Sequence, residues 1–384
     1  MFPLESIGMG RQYDITVTRV PQEAASYLFS KRMKQAGPAS LLLLPQFEKF
    51  IGASKKGRRL KYAGRKLSPG TIEQYECVRN LLTAFEVSKL TPLRIVLLKK
   101  PSLSLLRKEQ KYWSRFFCAF TIFLYNERNC FDSYVLSVAK TLKAFFNYLL
   151  EEKHLPVGSF HKHFRVPQQT FTPLVLEPSK LQHLINNKVF EASLSSALQR
   201  TKDLFVFGCT VGLRYSDLMR LQKKHLVEAP EGRYLLIHTK KTETLVKLPL
   251  PDYLLSIIEK YKGRTGKYLL PRLSSTNLNL QVKLLCRQAG WDYLLPKVRY
   301  RRGKPVEVKN KEKECLRYCE QVTTHTMRRT AITTLLIMGV PELIVRRISG
   351  HSANSKEFYR YVVIAQDYLN QHVLQAYEKL VQRA

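Results

Sequence analysis

The stretch GHSANSKEFYRYVVI (350–364) holds one histidine, His351, and two tyrosines two residues apart, Tyr359 and Tyr361. In a chain with 20 tyrosines, a packed or merely exposed pair is the ordinary reading. Residues upstream give a sharper one. TTHTMRRTAITTLLIMGVPELIVRRISGHS (323–352) carries His325 and Arg328, three positions apart and therefore on one face of a helix. His-x-x-Arg alone is common in basic helices and decides nothing, and Arg329 points to a surface or backbone contact. The ordered set says more. Arg214 follows a glycine turn in GLRYSDL, Lys241 sits on a hairpin turn, and His325, Arg328, His351 and a tyrosine follow. Attack on a phosphodiester builds negative charge on two non-bridging oxygens, which fixed cations can stabilise. Arginine suits that task because its planar fork meets phosphate bidentately and stays charged.

These residues need elements to hold them. Thr323 or Thr324 can cap a helix running to about Met338, which Gly339 ends before Pro341 opens the next. The N-terminus of a helix already favours a phosphate. TKDLFVFGCTVGLRYSDLMRL predicts a helix, a break at Gly212 and a second helix. RYLLIHTKKTETLVKLPL (233–250) predicts two short strands joined by a polar turn around Lys241 to Thr244. EPSKLQHLINN, PDYLLSIIEKYK and NLNLQVKLLCRQAG predict further helices, and KVRYRRGKPVEVKNKEK (297–313) a surface hairpin or loop.

The first half reads as helical throughout. The helical pattern starts at LLLLPQFEKFIG (41–52), and the basic run 55–66 reads as a loop or solvated arm. SPGTIEQYECVRNLLTAFE (68–86) puts Ile72, Tyr75, Val78, Leu82 and Phe85 on one face. Two more amphipathic helices follow before a linker near HFRVPQQTFTP (163–173). The expected organisation is an N-terminal segment 1–39 of unknown role, a helical domain over 40–165 and a mixed domain over 166–384. The fold class is mainly α with a small β component. At the far end, Leu369, Val373, Ala376, Tyr377 and Leu380 form one stripe at helical spacing. The bland reading is a helix folded back on its own domain; standing directly after a possible nucleophile, the stripe is read instead as a tail that docks into a neighbouring subunit.

Charge narrows the partner. Against 30 acidic residues stand 64 lysines and arginines, a net charge of +34 with basic residues recurring along the whole chain. Such an excess opposes compaction unless a polyanion compensates it, which makes nucleic acid the leading partner. A ribosomal or membrane-surface protein would share that charge. FFCAFTIFLY (116–125) is too short to span a bilayer and reads as buried helix. No signal-peptide pattern stands at the N-terminus. Seven scattered cysteines fit a reducing cytoplasm better than a disulfide framework. Cys315, Cys319 and His325 offer too few ligands for a structural zinc.

In these motifs the chain resembles the tyrosine recombinase (phage integrase) family, and more loosely the type IB topoisomerases. The resemblance covers roughly residues 40–384, with the specific motifs in 172–361. GLRYSDL is similar to the family's first arginine box, including Asp217. KKTETLVKLPL resembles its hairpin lysine, and counting back from Pro249 selects Lys241 over Lys240. HTMRRT and ISGHS match the second arginine box and the histidine after it. TLKAFFNYLLEEKHLP resembles the end of the helical core-binding domain, most closely in integrases of Bacteroidetes mobile elements.

The resemblance implies a helical core-DNA-binding domain and a mixed α/β catalytic domain that clamp duplex DNA. It implies site-specific recombination through a 3′-phosphotyrosine. Arg214, Arg328 and His351 would bind the phosphate, Lys241 would protonate the leaving oxygen, and His325 would take the tyrosine proton. Asp217 would cap a helix or orient Arg214. Tyr359 and Tyr361 stand eight and ten residues after His351; the family's apolar-x-x-Tyr-apolar ending selects Tyr361 when Phe358 is the apolar residue. No cofactor or metal is implied, and the motifs lack the paired carboxylates of a two-metal nuclease. Expected partners are double-stranded DNA, further copies of the chain in a synaptic tetramer, and accessory DNA-bending proteins, with no membrane. The expected location is a bacterial cytoplasm, at the nucleoid. Two alternatives stay open: a type IB topoisomerase-like relaxation enzyme and a non-catalytic DNA-binding protein.

Overall fold

The computed structural model describes residues 40–60, 64–169, 171–240, 244–352, 355 and 357–381. The 1–39 segment lies outside them. The described chain forms two compact units. One holds the described residues before Phe171 together with Val298–Glu307; the other holds the rest.

The first unit is built on α1 (Leu43–Lys55), α2 (Pro69–Lys89), α3 (Leu103–Asn126) and α4 (Asp132–Asn147). Ser102 caps α3 by accepting a hydrogen bond from Leu105 N at 3.2 Å. The face foreseen on α2 is the buried one: Tyr75, Val78, Leu82 and Phe85 are buried, and Ile72 packs against them half-buried. From α3 come Phe116, Phe120 and Phe123, and Phe85 meets all three rings edge-on at 5.2–5.9 Å. Edge-to-face pairs of this kind add to the area they bury. The unit is not wholly helical. Leu41 and Leu42, expected in a helix, lie in β1 (Ser40–Leu42), which pairs antiparallel with β2 (Arg94–Val96). Pro45 belongs to the first turn of α1, where proline is tolerated, and the residues ahead of that turn are left to pair as a strand.

The segment expected as a surface hairpin in the second half forms β6 (Lys297–Arg301) and β7 (Lys304–Val308), and residues 298–307 pack in the first unit. Arg302 and Gly303 have φ of +55° and +74°, the pattern of a two-residue type I′ turn. Both turn N–H groups donate to one carboxylate: Arg302 N to Asp132 Oδ1 at 2.7 Å, and Gly303 N to Oδ2 at 2.9 Å. Arg299 and Arg301 lie over the Phe131 ring, and Arg302 over Tyr125.

The second unit carries α5 (Pro178–Asn186), α6 (Lys188–Ser193), α7 (Ser196–Val211), α8 (Tyr215–Leu218), α9 (Asp252–Lys260), α10 (Ser275–Gln288) and α11 (Tyr318–Gln321). After these come α12 (Thr324–Ile337), α13 (Glu342–Ser349) and α14 (Tyr359–Val381). Its sheet has the order β3 (Leu226–Ala229), β4 (Gly232–His238), β5 (Leu245–Pro249), antiparallel throughout. Leu235 faces Leu248 and Ile237 faces Val246, so alternate residues of β4 and β5 enter the core. At the centre, α7 and α12 approach closely. A Cβ on Gly208 would stand 2.4 Å from Met327 Sδ, so only glycine fits there. The terminal stripe does not fold back on its own unit: Leu369, Val373 and Tyr377 are 37%, 49% and 62% exposed. The side chains of Ala376 and Leu380 lie outside the described ones.

Candidate active site

The capping loops of two helices converge on Arg328. The helix α7 ends at Gly212, whose φ of +64° is a left-handed C-cap that glycine adopts without strain. The reversal puts Arg214 at the N-cap of α8. Arg328 lies one turn into α12, after Thr323 opens that helix by donating its N–H to Thr326 Oγ1 at 3.0 Å. Gly350 caps α13 in the left-handed conformation and delivers His351.

Arg328 is 6% exposed. Its Nη1 donates to Gly212 O at 2.9 Å, its Nη2 donates to Ser349 O, and Nη2 stands 3.4–3.5 Å from the His351 ring nitrogens. The guanidinium is therefore fixed by carbonyls from the two capping loops. No carboxylate pairs with it among the described residues. Burial lowers its pKa to about 10, and the neighbouring Arg214 charge pushes the same way; Tyr361 and Asp217 act against them. At neutral pH it stays a cation. Arg214 adds a second charge, and its Nη1 is buried with no hydrogen-bond partner among the described residues. Two adjacent cations, one with an unused buried donor, form a seat for an anion.

His351 is oriented by Ser349. The Ser349 hydroxyl donates to Val345 O at 2.6 Å and lies 2.7 Å from His351 Nδ1, so it is placed to accept from an Nδ1–H. Neutral His351 would then carry its lone pair on Nε2. The two tyrosines differ sharply. The Tyr361 ring lies 6.1 Å from His351 and packs half-buried against Phe358. Tyr359 is 54% exposed and lies under Arg346, whose guanidinium carbon is 5.0 Å from its ring.

Arg214, Arg328, His351 and Tyr361 are thus brought together. His325 stands exposed in the first turn of α12. Lys241 lies outside the described residues, although the β4–β5 hairpin expected to carry it is present. Asp217, expected as a cap or as the partner of Arg214, instead has its bond at that hairpin: its Oδ1 accepts from Lys240 N at 2.9 Å. Sequence reasoning missed Ser349 and Arg346. The serine two positions before His351 was the visible signal for the first. Nothing local in sequence marks the second, because its partners arrive through the fold.

Such a unit, with buried cations gathered around a histidine and a half-buried tyrosine, defines a class: enzymes that break and rejoin DNA strands through a tyrosine. The chain belongs to the phage integrase family, whose profile matches residues 175–366, half of its 384 residues. No curated protein matches it closely enough to name as a relative. Among solved structures it is similar to a lambda integrase dimer bound to a COC′ core site, with a TM-score of 0.55 and 14% identity over 89% of this chain and 81% of that one. It is also similar to the Tn1549 transposon integrase in complex with a circular intermediate DNA (TM-score 0.55, 16% identity, 84% of this chain, 95% of that one). A third likeness is to XerH site-specific recombinase bound to palindromic difH substrate (TM-score 0.52, 12% identity, 88% and 90%). Among the described residues, no helix is long and apolar enough to cross a membrane.

Proposed function

We propose that the protein cuts and rejoins duplex DNA at specific sites, with Tyr361 as the nucleophile. The tyrosine oxygen attacks the phosphorus of a backbone phosphodiester. The bond to the 5′ oxygen breaks, leaving a 3′-phosphotyrosine and a free 5′ hydroxyl. His325 accepts the tyrosine proton and Lys241 gives a proton to the departing oxygen. Arg214, Arg328 and His351 hold the non-bridging oxygens, and Asp217 steadies the hairpin turn through Lys240. A second 5′ hydroxyl then attacks the phosphotyrosine and restores the enzyme. One ester replaces another, so no ATP is required.

One observation carries this reading: Arg328 is a buried cation fixed by carbonyls, with no carboxylate partner among the described residues. A buried charge without a counter-ion is costly unless an anion completes it, and a phosphodiester is that anion. Tyr361 is favoured over Tyr359 by its place beside His351. Assembly of several copies on DNA is supported by the uncovered stripe of α14 and by the likeness of this chain to a separate structure, a lambda integrase tetramer bound to a Holliday junction. Motif appearance favours a Bacteroidetes mobile element as the source, a nucleoid location, and accessory DNA-bending proteins as helpers.

The test is covalent capture on a nicked suicide duplex. Tyr361→Phe should abolish the adduct while DNA binding persists, and Tyr359→Phe should retain it. The reverse result moves the nucleophile to Tyr359. Binding with no adduct from the unmodified protein leaves a non-catalytic binder, and supercoil relaxation by the monomer without site preference points to a topoisomerase-like enzyme.

A further inference from the structure

The helix α13 buries a second arginine that the chemistry above does not use. Arg346 is 6% exposed, and its Nε donates to Glu342 Oε1 at 2.7 Å. Several further contacts reach the segment that joins His351 to Tyr361. Its Nη1 donates to Ser352 O at 3.1 Å. Its own carbonyl accepts from His351 N at 3.0 Å. Its guanidinium carbon stands 4.1 Å from the centre of the Phe358 ring and 5.0 Å from that of Tyr359.

Phe358 is fully buried, and its ring meets both His351, at 5.4 Å, and Tyr361, at 6.1 Å. Phe358 O also accepts from Tyr361 N at 2.9 Å, so the first turn of α14 starts on this residue. One planar cation therefore fixes the loop at its start, at Ser352, and at its end, at Phe358. A guanidinium can do both, because its face stacks on an aromatic ring while its edge donates. Tyr359 lies against the same cation, whereas Tyr361 lies beside His351.

The geometry points to Arg346 as a positioning residue: acting through Phe358, it sets the start of α14 so that Tyr361, and not Tyr359, faces the Arg328–His351 pair. This rests on the reading of Tyr361 as nucleophile. The Arg346 guanidinium grips Ser352 O and the Phe358 ring and not the phosphate oxygens, so its loss should leave DNA binding intact and slow the attack. Stacking alone could be structural filler, which separates from positioning by how the effects combine.

The experiment measures single-turnover cleavage of suicide DNA at saturating protein, with single-site Kd and thermal midpoint alongside, for Arg346→Met, Phe358→Leu and the double variant. Expected are a cleavage rate about 10–100-fold lower in each single variant, a Kd within about twofold, and a double variant no slower than the slower single one. Phe358→Leu tests the same path should Arg346→Met fail to fold. A 5′-bridging phosphorothioate, which leaves without protonation, should rescue none of them, because the defect lies in the nucleophile's position. Unchanged cleavage by folded Arg346→Met, multiplied effects in the double variant, or full phosphorothioate rescue would each overturn the assignment. If the unmodified protein shows an adduct that survives Tyr361→Phe, the nucleophile reading has failed instead, and the same series shows it.

Discussion

The two units spend their interiors differently. The first buries rings: Trp113, Phe47, Phe50, Phe120, Phe123 and Phe145 are among the largest fully buried side chains. The second buries cations as well: Lys202, Arg328 and Arg346 are its buried lysines and arginines, and the first unit buries neither type among the described residues. Lys202 is matched by Asp203 and Glu191, and Arg346 by Glu342. Arg328 has carbonyls and a histidine but, among the described residues, no carboxylate partner. The comparison separates charge that the fold neutralises from charge kept for a ligand. Only the latter needs something from outside to complete it.

The strongest attempt to break that distinction replaces Arg328 by methionine. Loss of one charged donor to a developing phosphorane should lower cleavage about 10²–10³-fold. Without DNA, the variant should lose no more than about 1 kcal/mol in a urea titration, because an unpaired buried charge leaves with the side chain. A loss of about 3–5 kcal/mol, the size expected for breaking a buried pair, would place Arg328 with Lys202 among the structural cations.

Acid should separate the units next. His161, 3% exposed, has its pKa lowered to about 4 by burial, with Lys162 and Lys143 adding to the effect. The unfolded chain therefore binds a proton that the folded first unit refuses. Stability from this group is complete above about pH 6.5 and is lost as pH falls through about 4, a change of about 3 kcal/mol. In the second unit, burial pushes Glu191 up, but Lys202, Lys260 and Lys188 outweigh it and hold it at about 2. Its contribution is lost lower, between about pH 4.5 and 2. The two tryptophans report separately, Trp113 in one core and Trp291 against the other. As pH falls, Trp113 emission should change first, and His161→Phe, which keeps a ring against Phe146, should flatten that limb. Simultaneous change of both signals in the single-tryptophan variants would sink the idea.

The same contrast explains what the sequence made legible. Helical periodicity exposed the apolar face of α2, and glycine and threonine signals marked the ends of α7 and α12, because those effects are local. Arg214, Arg328 and His351 were readable since their boxes each hold a turn and a charge close together. Not readable were the contacts made across sequence distance. Arg346 meets Phe358 only after the chain has turned back on itself. Asp217 reads locally as a helix cap or as the partner of its near neighbour Arg214, whereas its bond goes to Lys240 on the β4–β5 hairpin. The hairpin at 298–307 could be foreseen from its basic strands and Arg-Gly turn, but not its place in the first unit, which depends on a carboxylate about 170 positions earlier.

That carboxylate supplies the smallest and most local test. Asp132 is the one group in the first unit that grips both N–H groups of the β6–β7 turn, and it is 3% exposed. Asparagine in its place keeps the shape and one acceptor oxygen but removes the charge. One of the two turn N–H groups would then face an amide nitrogen. Hydrogen bonds to a charged group are worth about 1.5–3 kcal/mol, so Asp132→Asn should cost about 1–3 kcal/mol and act mainly on the hairpin. The hairpin is rich in trypsin sites, with Arg299, Arg301 and Arg302 at or beside its turn. Limited trypsin digestion of the variant should therefore cut between 299 and 304 about tenfold faster, while the Trp113 and Trp291 signals stay native. Unchanged cutting would mean that the guanidinium groups over the Phe131 and Tyr125 rings hold the hairpin by themselves. In that case cation–π packing, and not the buried carboxylate, keeps residues 298–307 in the first unit.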